Sequence, residues 1–263
     1  MITLYANGQE FLSDNKDSWV LNTCVADGYF VAGASDLGLS KKYFAVKQKH
    51  GNSVVIGIKS SGYGELFLRG TDTAIPDFAV ALKSLNVQPT RVMAEEEQFN
   101  SYVSACGLSV KKSVRNLCYM LEPSMDGGAD ISGVEPATRK YLPAMQKLLG
   151  QYRNRSGLSA VFGDMHEALA THLDEYALCI RGGRVVSLCR LERKTEKSAR
   201  ITAVVTLDGC EGKGYASRAI SYFAQTQGVK CYALIPEDME NVRSLFAHLG
   251  FAQTRAYVRG ILG

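Results

Sequence analysis

The chain has 263 residues, 46% of them hydrophobic and 21% charged, which is the balance of an ordinary globular protein with enough apolar residues for two cores. Its formal net charge is +4 and its pI is near 8.6. Acidic and basic residues are mixed along the chain, so the dense basic patch of a dedicated nucleic-acid binder is not expected, although the mild positive excess helps to attract a polyanionic ligand.

The first half mixes predicted helices and strands. Residues 19–26 are predicted as a helix, and residues 43–49 and 53–59 as strands joined by a hairpin turn at His50-Gly51-Asn52. Apolar residues then recur at helical spacing from Ile75 to Leu85. The other elements of this half are a strand at 65–69, a strand at 91–94, a helix at 95–104 and a long strand at 110–121.

A linker is predicted at 123–130. Its residues, Pro123-Ser124-Met125-Asp126-Gly127-Gly128-Ala129-Asp130, are rich in turn formers and show no apolar periodicity. This divides the chain into an N-terminal α+β domain at 1–122 and a C-terminal domain at 131–263.

The second half has the clearer order of elements. A strand at 131–134 precedes a helix over 142–152 and a second helix at 163–172, and Gly182-Gly183 joins strands at 176–181 and 184–191. The remaining elements are a strand at 200–205, a helix at 216–224, a strand at 230–235, a helix at 242–249 ended by Gly250, and one or two strands over 251–262. This order predicts an α+β fold with a central mixed sheet flanked by helices. The first half has a similar order, so a diverged duplication is one explanation.

The seven cysteines contain no Cys-x-x-Cys pair, and neither a disulfide framework nor a metal site is predicted. A two-residue turn at Gly182-Gly183 would pair Cys179 with Val186 and Cys189 with Tyr176, so the two thiols are not opposite each other. Reduced cysteines, the lack of a signal-peptide pattern at the N-terminus and the lack of a long apolar run predict a cytoplasmic protein without a membrane span.

The segment from Ile201 to Ser217 carries the predicted chemistry. An apolar strand runs into Gly212-Lys213-Gly214, and an amphipathic helix follows at once. Glycines let the main chain approach a phosphate, and the unpaired amides of a helix N-terminus attract an anion. The pattern matches neither a Walker loop nor a dinucleotide-binding fingerprint. The alternative is a strand-to-helix turn that uses glycine for steric reasons alone.

In context, the second half resembles the GNAT N-acetyltransferase superfamily. The family's Gln/Arg-x-x-Gly-x-Gly/Ala motif is matched by Glu211-Gly212-Lys213-Gly214-Tyr215-Ala216, and its late aromatic-x-x-x-Gly-Phe pattern by Phe246-Ala247-His248-Leu249-Gly250-Phe251. The resemblance covers about Asp130 to the end. More loosely, the whole chain is similar to bacterial two-domain GNAT proteins whose smaller N-terminal domain is a degenerate copy of the fold.

The resemblance implies an acyl-CoA-dependent N-acyltransferase, with acetyl-CoA as the default donor and acyl-CoA as its main partner. Val204, Val205 and Thr206 would pair with the pantetheine arm, and the amides from Gly212 to Ser217 would hold the pyrophosphate. The cofactor-binding set implied is Val204, Val205, Thr206, Glu211, Gly212, Lys213, Gly214, Tyr215, Ala216, Ser217 and Phe246. A strand amide near Val205 would stabilise the oxyanion as the amine attacks the thioester directly.

Two residues depart from the family pattern. Glu211 stands where Gln or Arg is usual, and a carboxylate repels a pyrophosphate unless it is paired or turned away; Arg218 is one candidate partner. Phe246 stands where a tyrosine often protonates the departing thiolate, and its position on the apolar helix face favours a packing role. Tyr257 or Tyr232 is then the candidate proton donor, or the thiolate leaves unassisted.

The general base is less defined. The candidates for the base that are predicted near the cleft are Glu192, Asp174, Glu175 and His172. His166 is a further candidate of the same kind. We take Glu192 and Tyr257 as the candidate catalytic residues. The short charged runs Arg153-Asn154-Arg155, 190–193 and 194–197 are interpreted as solvated loops that can also contact an anionic substrate.

Three functions therefore compete. The first is transfer of an acyl group to a primary amine on an acceptor of undefined class. The second is a non-catalytic acyl-CoA-binding or scaffold protein, motivated by Phe246 and Glu211. The third is a nucleic-acid-associated protein, which the weak basic balance does not favour. A homodimer is left open.

Overall fold

The computed structural model describes residues 1–60, 65–123, 129–156 and 169–263. It divides into two units, the first comprising Met1–Tyr119, Leu234–Ser244 and Ala252–Gly263, and the second Met120–Ala233 and Leu245–Phe251. No helix in the described part of the chain is both long and apolar enough to cross a membrane.

The first unit is built on a mixed sheet with helices packed against it. Its strands are β1 (Ile2–Tyr5), β2 (Phe44–His50), β3 (Ser53–Lys59), β4 (Leu66–Gly70), β5 (Arg91–Glu95), most of β6 (Val110–Leu121) and the last strand of the chain, β12 (Ala252–Leu262). Its helices are α1 (Gly8–Asn15), α2 (Cys24–Gly33), α3 (Ile75–Ser84) and α4 (Glu96–Cys106). The order across this sheet is β1-β2-β3-β4-β5-β12-β6.

The second unit repeats the plan. Its elements are β7 (Val134–Pro136), α5 (Leu142–Ser156), β8 (Tyr176–Arg181), β9 (Arg184–Glu192), β10 (Ser198–Thr206), α6 (Tyr215–Thr226), most of β11 (Lys230–Pro236) and the end of α7 (Glu240–His248). The sheet order is β11-β10-β9-β8-β7. Apolar side chains of α5, including Met145 and Leu148, pack on Leu178 and Leu188 of the sheet. The predicted α+β class is confirmed.

Local capping explains where several helices begin and end. The Asn7 side chain accepts hydrogen bonds from two amides of α1. Thr23 accepts one from Ala26 and so starts α2 at Cys24, whereas the sequence predicted a helix from residue 19. A separate 3₁₀ turn, Trp19–Leu21, precedes it. Gly107 ends α4 in the left-handed conformation that glycine adopts without strain.

The last strand is placed differently from the sequence-based prediction. Residues 251–262 were assigned to the second domain, but β12 pairs antiparallel with β5, Tyr257 opposite Glu95 and Val258 opposite Ala94. This pairing is between segments more than a hundred residues apart, which no local pattern can specify. The predicted linker residues 124–128 and part of the predicted helix at 163–172 lie outside the described residues.

The hairpin of β8 and β9 differs from its predicted register by one residue. Cys179 faces Ser187 rather than Val186, and Cys189 faces Ala177 rather than Tyr176, because an irregularity lies between Cys179 and Ile180. The thiols are still not opposite each other, and none of the seven cysteines, all of which the structure describes, forms a disulfide.

Ionisation of the Tyr5 phenol makes the free energy of unfolding vary with pH in the alkaline range. Burial, together with the hydrogen bond to Asp14, raises the pKa of Tyr5 to about 12. Between about pH 10, where an ordinary tyrosine titrates, and about pH 12, the unfolded chain loses this proton and the folded chain keeps it, so stability falls as pH rises. Between about pH 9 and about pH 11, the free energy of unfolding should fall by about 1 kcal/mol less in Tyr5→Phe than in the wild type. Denaturant unfolding at the two pH values measures this, and equal losses in both proteins would contradict it.

Candidate active site

Two neighbouring strands of the second unit, β10 and β11, separate part of the way along their length. β10 and β11 run parallel and are in register from Ser198 opposite Lys230 to Arg200 opposite Tyr232, where the pairing ends. Just beyond, β10 carries a bulge between Thr202 and Val205 against β9, and Ala203 within it has a φ of +48°. A bulge bends its strand and sharpens its twist. The main chain of β10 after Arg200 therefore leaves its parallel partner and can pair with a ligand.

The other edge of β10 is fixed beyond the bulge. The Ser187 hydroxyl donates to the Val205 carbonyl at 2.9 Å and lies 3.0 Å from the Thr206 hydroxyl. The Leu207 amide donates to the Val186 carbonyl at 2.8 Å. Val205 is 4% exposed and turned into the core. The predicted pantetheine strand is thus held rigidly on the β9 side, while Val204 and Thr206 stay partly exposed.

The turn after β10 is an open loop that leads into a helix. Gly209, Gly212 and Gly214 have φ values of 79°, 72° and 76°. An added Cβ at any of them would meet nothing within 4 Å, so conformation, not close packing, requires glycine here. Gly214 is the N-cap of α6 and supplies no side-chain hydrogen bond. The amides of the first turn, from Tyr215 onward, therefore lie at the positive end of the helix dipole without a hydrogen bond from a capping side chain.

Glu211 is folded back onto its own loop. Its carboxylate accepts a hydrogen bond from the Gly209 amide at 2.7 Å, and the Lys213 ammonium lies 3.4 Å from the Gly209 carbonyl. Asp208 is tied to α5 by the Gln151 amide at 2.8 Å. The Glu211 carboxylate, at the position where the GNAT motif has Gln or Arg, therefore stabilises the conformation of the loop.

Arg218 does not serve as the partner of Glu211. Its guanidinium pairs with Asp130 at 2.7 Å and lies 6.0 Å from the centre of the Tyr215 ring. It is thus a cation beside the first turn of α6, held by a carboxylate that precedes β7.

A row of basic and acidic side chains in alternation runs from His172 to Arg200 next to the bulge. His172 contacts Glu175 at 3.3 Å, Glu175 pairs with Arg190 at 2.6 Å, and Arg190 lies 3.7 Å from Glu192. Glu192 in turn pairs with Arg200 at 3.1 Å. Side-chain exposure falls from 54% at His172 to 9% at Arg200. Glu192 thus lies between two guanidinium groups, those of Arg190 and Arg200. Its catalytic role stays a prediction.

Phe246 and Tyr257 are both buried. Phe246 is 1% exposed and packs edge-on against Phe251 with ring centres 4.9 Å apart, as a core residue does. Tyr257 is also 1% exposed, lies on β12 in the first unit and faces the ring of Phe67. The role of Tyr257 as a proton donor stays a prediction.

Two other tyrosines of the second unit also have packing positions. Tyr152, near the end of α5, packs against the apolar cluster that contains Val205 of β10, and burial raises the pKa of its phenol. Tyr152 falls on the apolar face of α5, so the sequence pattern predicted a packing role for it. Tyr232 is fully buried where β10 and β11 still pair. His166 lies outside the described residues, as do the side chains of the run at 153–155.

The corresponding turn of the first unit, between β4 and α3, is filled by its own side chains. The Gln98 amide donates to the Gly70 carbonyl at 2.8 Å and to the Asp72 carboxylate at 2.6 Å. A Cβ on Gly70 would meet the Val54 carbonyl oxygen at 2.4 Å. The Gln98 amide and the Asp72 carboxylate thus occupy this turn, and a carboxylate there repels a phosphate.

Comparison with solved structures identifies the fold. An acetyltransferase of the GNAT family from Colwellia psychrerythraea aligns over 100% of both chains with a TM-score of 0.61 and 13% identity. A GCN5-related N-acetyltransferase from Sphaerobacter thermophilus aligns over 98% of this chain and 94% of its own, with a TM-score of 0.56 and 12% identity. A tandem GNAT protein from the clavulanic acid biosynthesis pathway covers 99% and 98%, with a TM-score of 0.54 and 11% identity. The chain matches no protein-family model and no curated protein.

Proposed function

We propose that the second unit binds an acyl-CoA, with acetyl-CoA as the default, and transfers the acyl group directly to a primary amine. The chain has the GNAT fold over its whole length. In this chain β10 leaves β11 after Arg200 and then runs on into the glycine loop before α6, so both features of the site lie on one continuous segment. The observation that carries the proposal is the open, left-handed glycine loop at the start of α6, beside the point where β10 leaves β11.

The residues present fit the proposed ligand. The pyrophosphate would lie against the amides from Gly212 to Ser217, where neither a helix-capping side chain nor a Cβ neighbour fills the space. Lys213 adds an exposed cation to the same loop. The pantetheine amides would pair with β10 at Val204 to Thr206, beyond the last parallel pair.

The chemistry would take place at the bulge. The amine attacks the thioester carbon, and a preorganised main-chain amide of β10 near Val205 stabilises the negative charge that develops on the carbonyl oxygen. Holding the amine and the thioester together lowers the barrier without a covalent enzyme intermediate. The ion pairs from Glu175 to Arg200 line the same face of the sheet and would orient the acceptor.

A second function, acyl-CoA binding without transfer, is favoured by one observation. Phe246 is buried and has no proton to give where the family often has a tyrosine. Release of the CoA thiol, followed with a thiol reagent while acetyl-CoA is mixed with a panel of primary amines, separates the two. Thiol release that depends on one amine class supports transfer. Saturable CoA binding without thiol release with any amine would leave the binding function.

Glu211→Gln is expected to tighten CoA binding about threefold, because it removes a partly screened negative charge from the pyrophosphate loop. The glutamine oxygen can still accept the Gly209 hydrogen bond that the carboxylate now accepts at 2.7 Å. Titration calorimetry at low and high salt measures the change, and the gain should shrink as salt rises. The control is Glu196→Gln, the same charge change in an exposed loop of this unit. Equal effects from both variants would show a general charge effect only.

A further inference from the structure

The first strand, β1 (Ile2–Tyr5), is the edge strand of the sheet of the first unit, and in the described part of the chain it pairs only with β2. One face of β1 is fixed to α1, because Tyr5 is 1% exposed and its ring centre lies 5.4 Å from that of Phe11. Its sequence, Ile-Thr-Leu-Tyr, has neither a charged residue nor a proline, which are common devices that keep an exposed edge from pairing with another chain. The edge strand of the second unit, β7, has both, in Glu135 and Pro136.

The outward main-chain groups of β1 can be identified from its hydrogen bonds to β2. The Met1 nitrogen donates to the Lys49 carbonyl at 2.8 Å, and the Lys49 amide donates to the Met1 carbonyl at 2.9 Å. Pairs that exchange both bonds alternate along an antiparallel ladder, so the next such pair involves Thr3. The N–H and C=O groups of Ile2 and Leu4 therefore point away from β2, towards the open edge of the sheet.

The side chains of the same two residues are exposed. Ile2 is 42% and Leu4 54% exposed, and they lie opposite Gln48 and Val46 of β2. Val46 is fully buried in the apolar cluster that includes Phe78 of α3, and no residue of β1 belongs to that cluster. The core on this face of the sheet therefore stops at β2, and β1 presents an apolar surface beside its unpaired main-chain groups.

A second copy of β1 complements this edge. In an antiparallel pair with its two-fold axis at Thr3, Ile2 of each copy lies opposite Leu4 of the other. The outward N–H and C=O groups of these residues then bond to each other, and their exposed side chains lie together on one face. The end of β1 next to Lys49 also meets the end that leads to Glu10 in the first turn of α1, so opposite charges approach on both sides of the axis.

We propose that the protein forms a homodimer in which two copies pair antiparallel through β1, centred on Thr3. The partner is a second copy and not an unrelated extended peptide, because the hydrogen-bonding groups, the apolar side chains and the flanking charges of this edge all complement themselves. The strand supplies four residues from each copy, against roughly 20 a side in a standard interface. The dimer should therefore be weak, with a dissociation constant of about 30 μM.

Substitutions of Leu4 test the proposal, and sedimentation velocity from about 3 to about 300 μM measures the dissociation constant. Leu4→Pro removes an N–H that points to the open edge, where proline is tolerated, so the chain should stay folded while the dissociation constant rises about tenfold or more. Leu4→Lys brings a charge against Ile2 of the other copy and should weaken the dimer to a similar extent. The matched control is Leu39→Lys, at an apolar side chain that is 71% exposed in a turn of the same unit, and it should leave the dimer unchanged.

Thr3→Cys tests the register of the pair. At the axis, the two introduced thiols lie on Cα atoms about 4.5 Å apart, which is within reach of a disulfide. Mild oxidation should trap a dimer, which non-reducing electrophoresis detects. In Ile2→Cys the corresponding Cα atoms lie about 8 Å apart, beyond that reach. This variant should cross-link no more than the wild type, whose own cysteines give the background.

The outcomes decide the proposal without reference to acyl transfer. A dimer that both Leu4 variants weaken, that Leu39→Lys keeps and that Thr3→Cys traps supports it. A wild type that stays monomeric at every concentration overturns it, even where β1 binds a foreign peptide. A dimer that neither Leu4 variant weakens overturns it as well, because another surface then joins the copies. Should thermal unfolding show that Leu4→Pro is not folded, Leu4→Lys and Thr3→Cys decide in the same way.

Discussion

Gly214→Asp is expected to weaken CoA binding by about 100-fold or more while the protein stays folded. The new carboxylate would lie at the N-cap of α6. There it repels the pyrophosphate and also accepts hydrogen bonds from the helix amides that would otherwise bind the pyrophosphate. A Cβ meets nothing within 4 Å at this position, so the cost to stability is limited to the left-handed main chain, about 1 kcal/mol. Titration calorimetry with CoA gives the affinity, and thermal unfolding confirms the fold.

The matched control for this variant is Gly228→Asp. Gly228 also has a left-handed conformation, with a φ of 64°, and open space around its Cα. It follows the C-terminal end of α6, far along the helix from the loop. The control brings the same charge and the same strain, and should leave CoA affinity unchanged. Unchanged affinity in Gly214→Asp would contradict the proposed pyrophosphate site.

Glu65→Ala is expected to lower the free energy of unfolding by about 2 kcal/mol, because it removes a buried carboxylate that accepts hydrogen bonds from Tyr29 and Arg259. The Glu65 side chain is 2% exposed and pairs with Arg259 of β12 at 2.8 Å. The Tyr29 hydroxyl donates to Glu65 at 3.3 Å and accepts from Arg259 at 3.0 Å. Loss of the carboxylate therefore removes a contact that joins β12, which the sequence assigned to the second domain, to the first unit.

Two controls interpret this result. Glu122→Ala, which breaks an exposed pair with Lys230 at 2.9 Å, should change the stability by less than about 0.5 kcal/mol. Adding Arg259→Leu to Glu65→Ala should recover part of the loss, which denaturant unfolding of the double-mutant cycle measures. A loss below about 0.5 kcal/mol for Glu65→Ala would contradict the placement of β12 in the first unit.

Local patterns were enough for most elements of the second unit. The glycine loop, the helix after it and the hairpin at Gly182-Gly183 follow from residue types whose preferences are strong and short-ranged. Phe246 is buried, as its place on the apolar face of its helix predicts, and its predicted part in cofactor binding stays a prediction. The GNAT fold was predicted from the order of elements and two motifs.

The features that were not predicted depend on distant residues or on strain. Nothing in an apolar strand marks Ala203 as a bulge residue, because the left-handed conformation is imposed by the neighbouring strands and not by a glycine. The pairing of β12 with β5 and the one-residue shift after Cys179 are likewise decided by tertiary contacts. In α1, capping by Asn7 was a local signal that could have been used.

The central claim is that one acyl-CoA binds at the loop before α6, and calorimetric titration of the purified chain with CoA and with acetyl-CoA tests it most directly. The account predicts saturable binding of both ligands at about one molecule per chain, because the matching turn of the first unit is filled by Gln98 and Asp72. The melting temperature should rise with ligand concentration as mass action requires. Absence of saturable binding to either ligand would contradict the account, and so would two equivalent sites per chain.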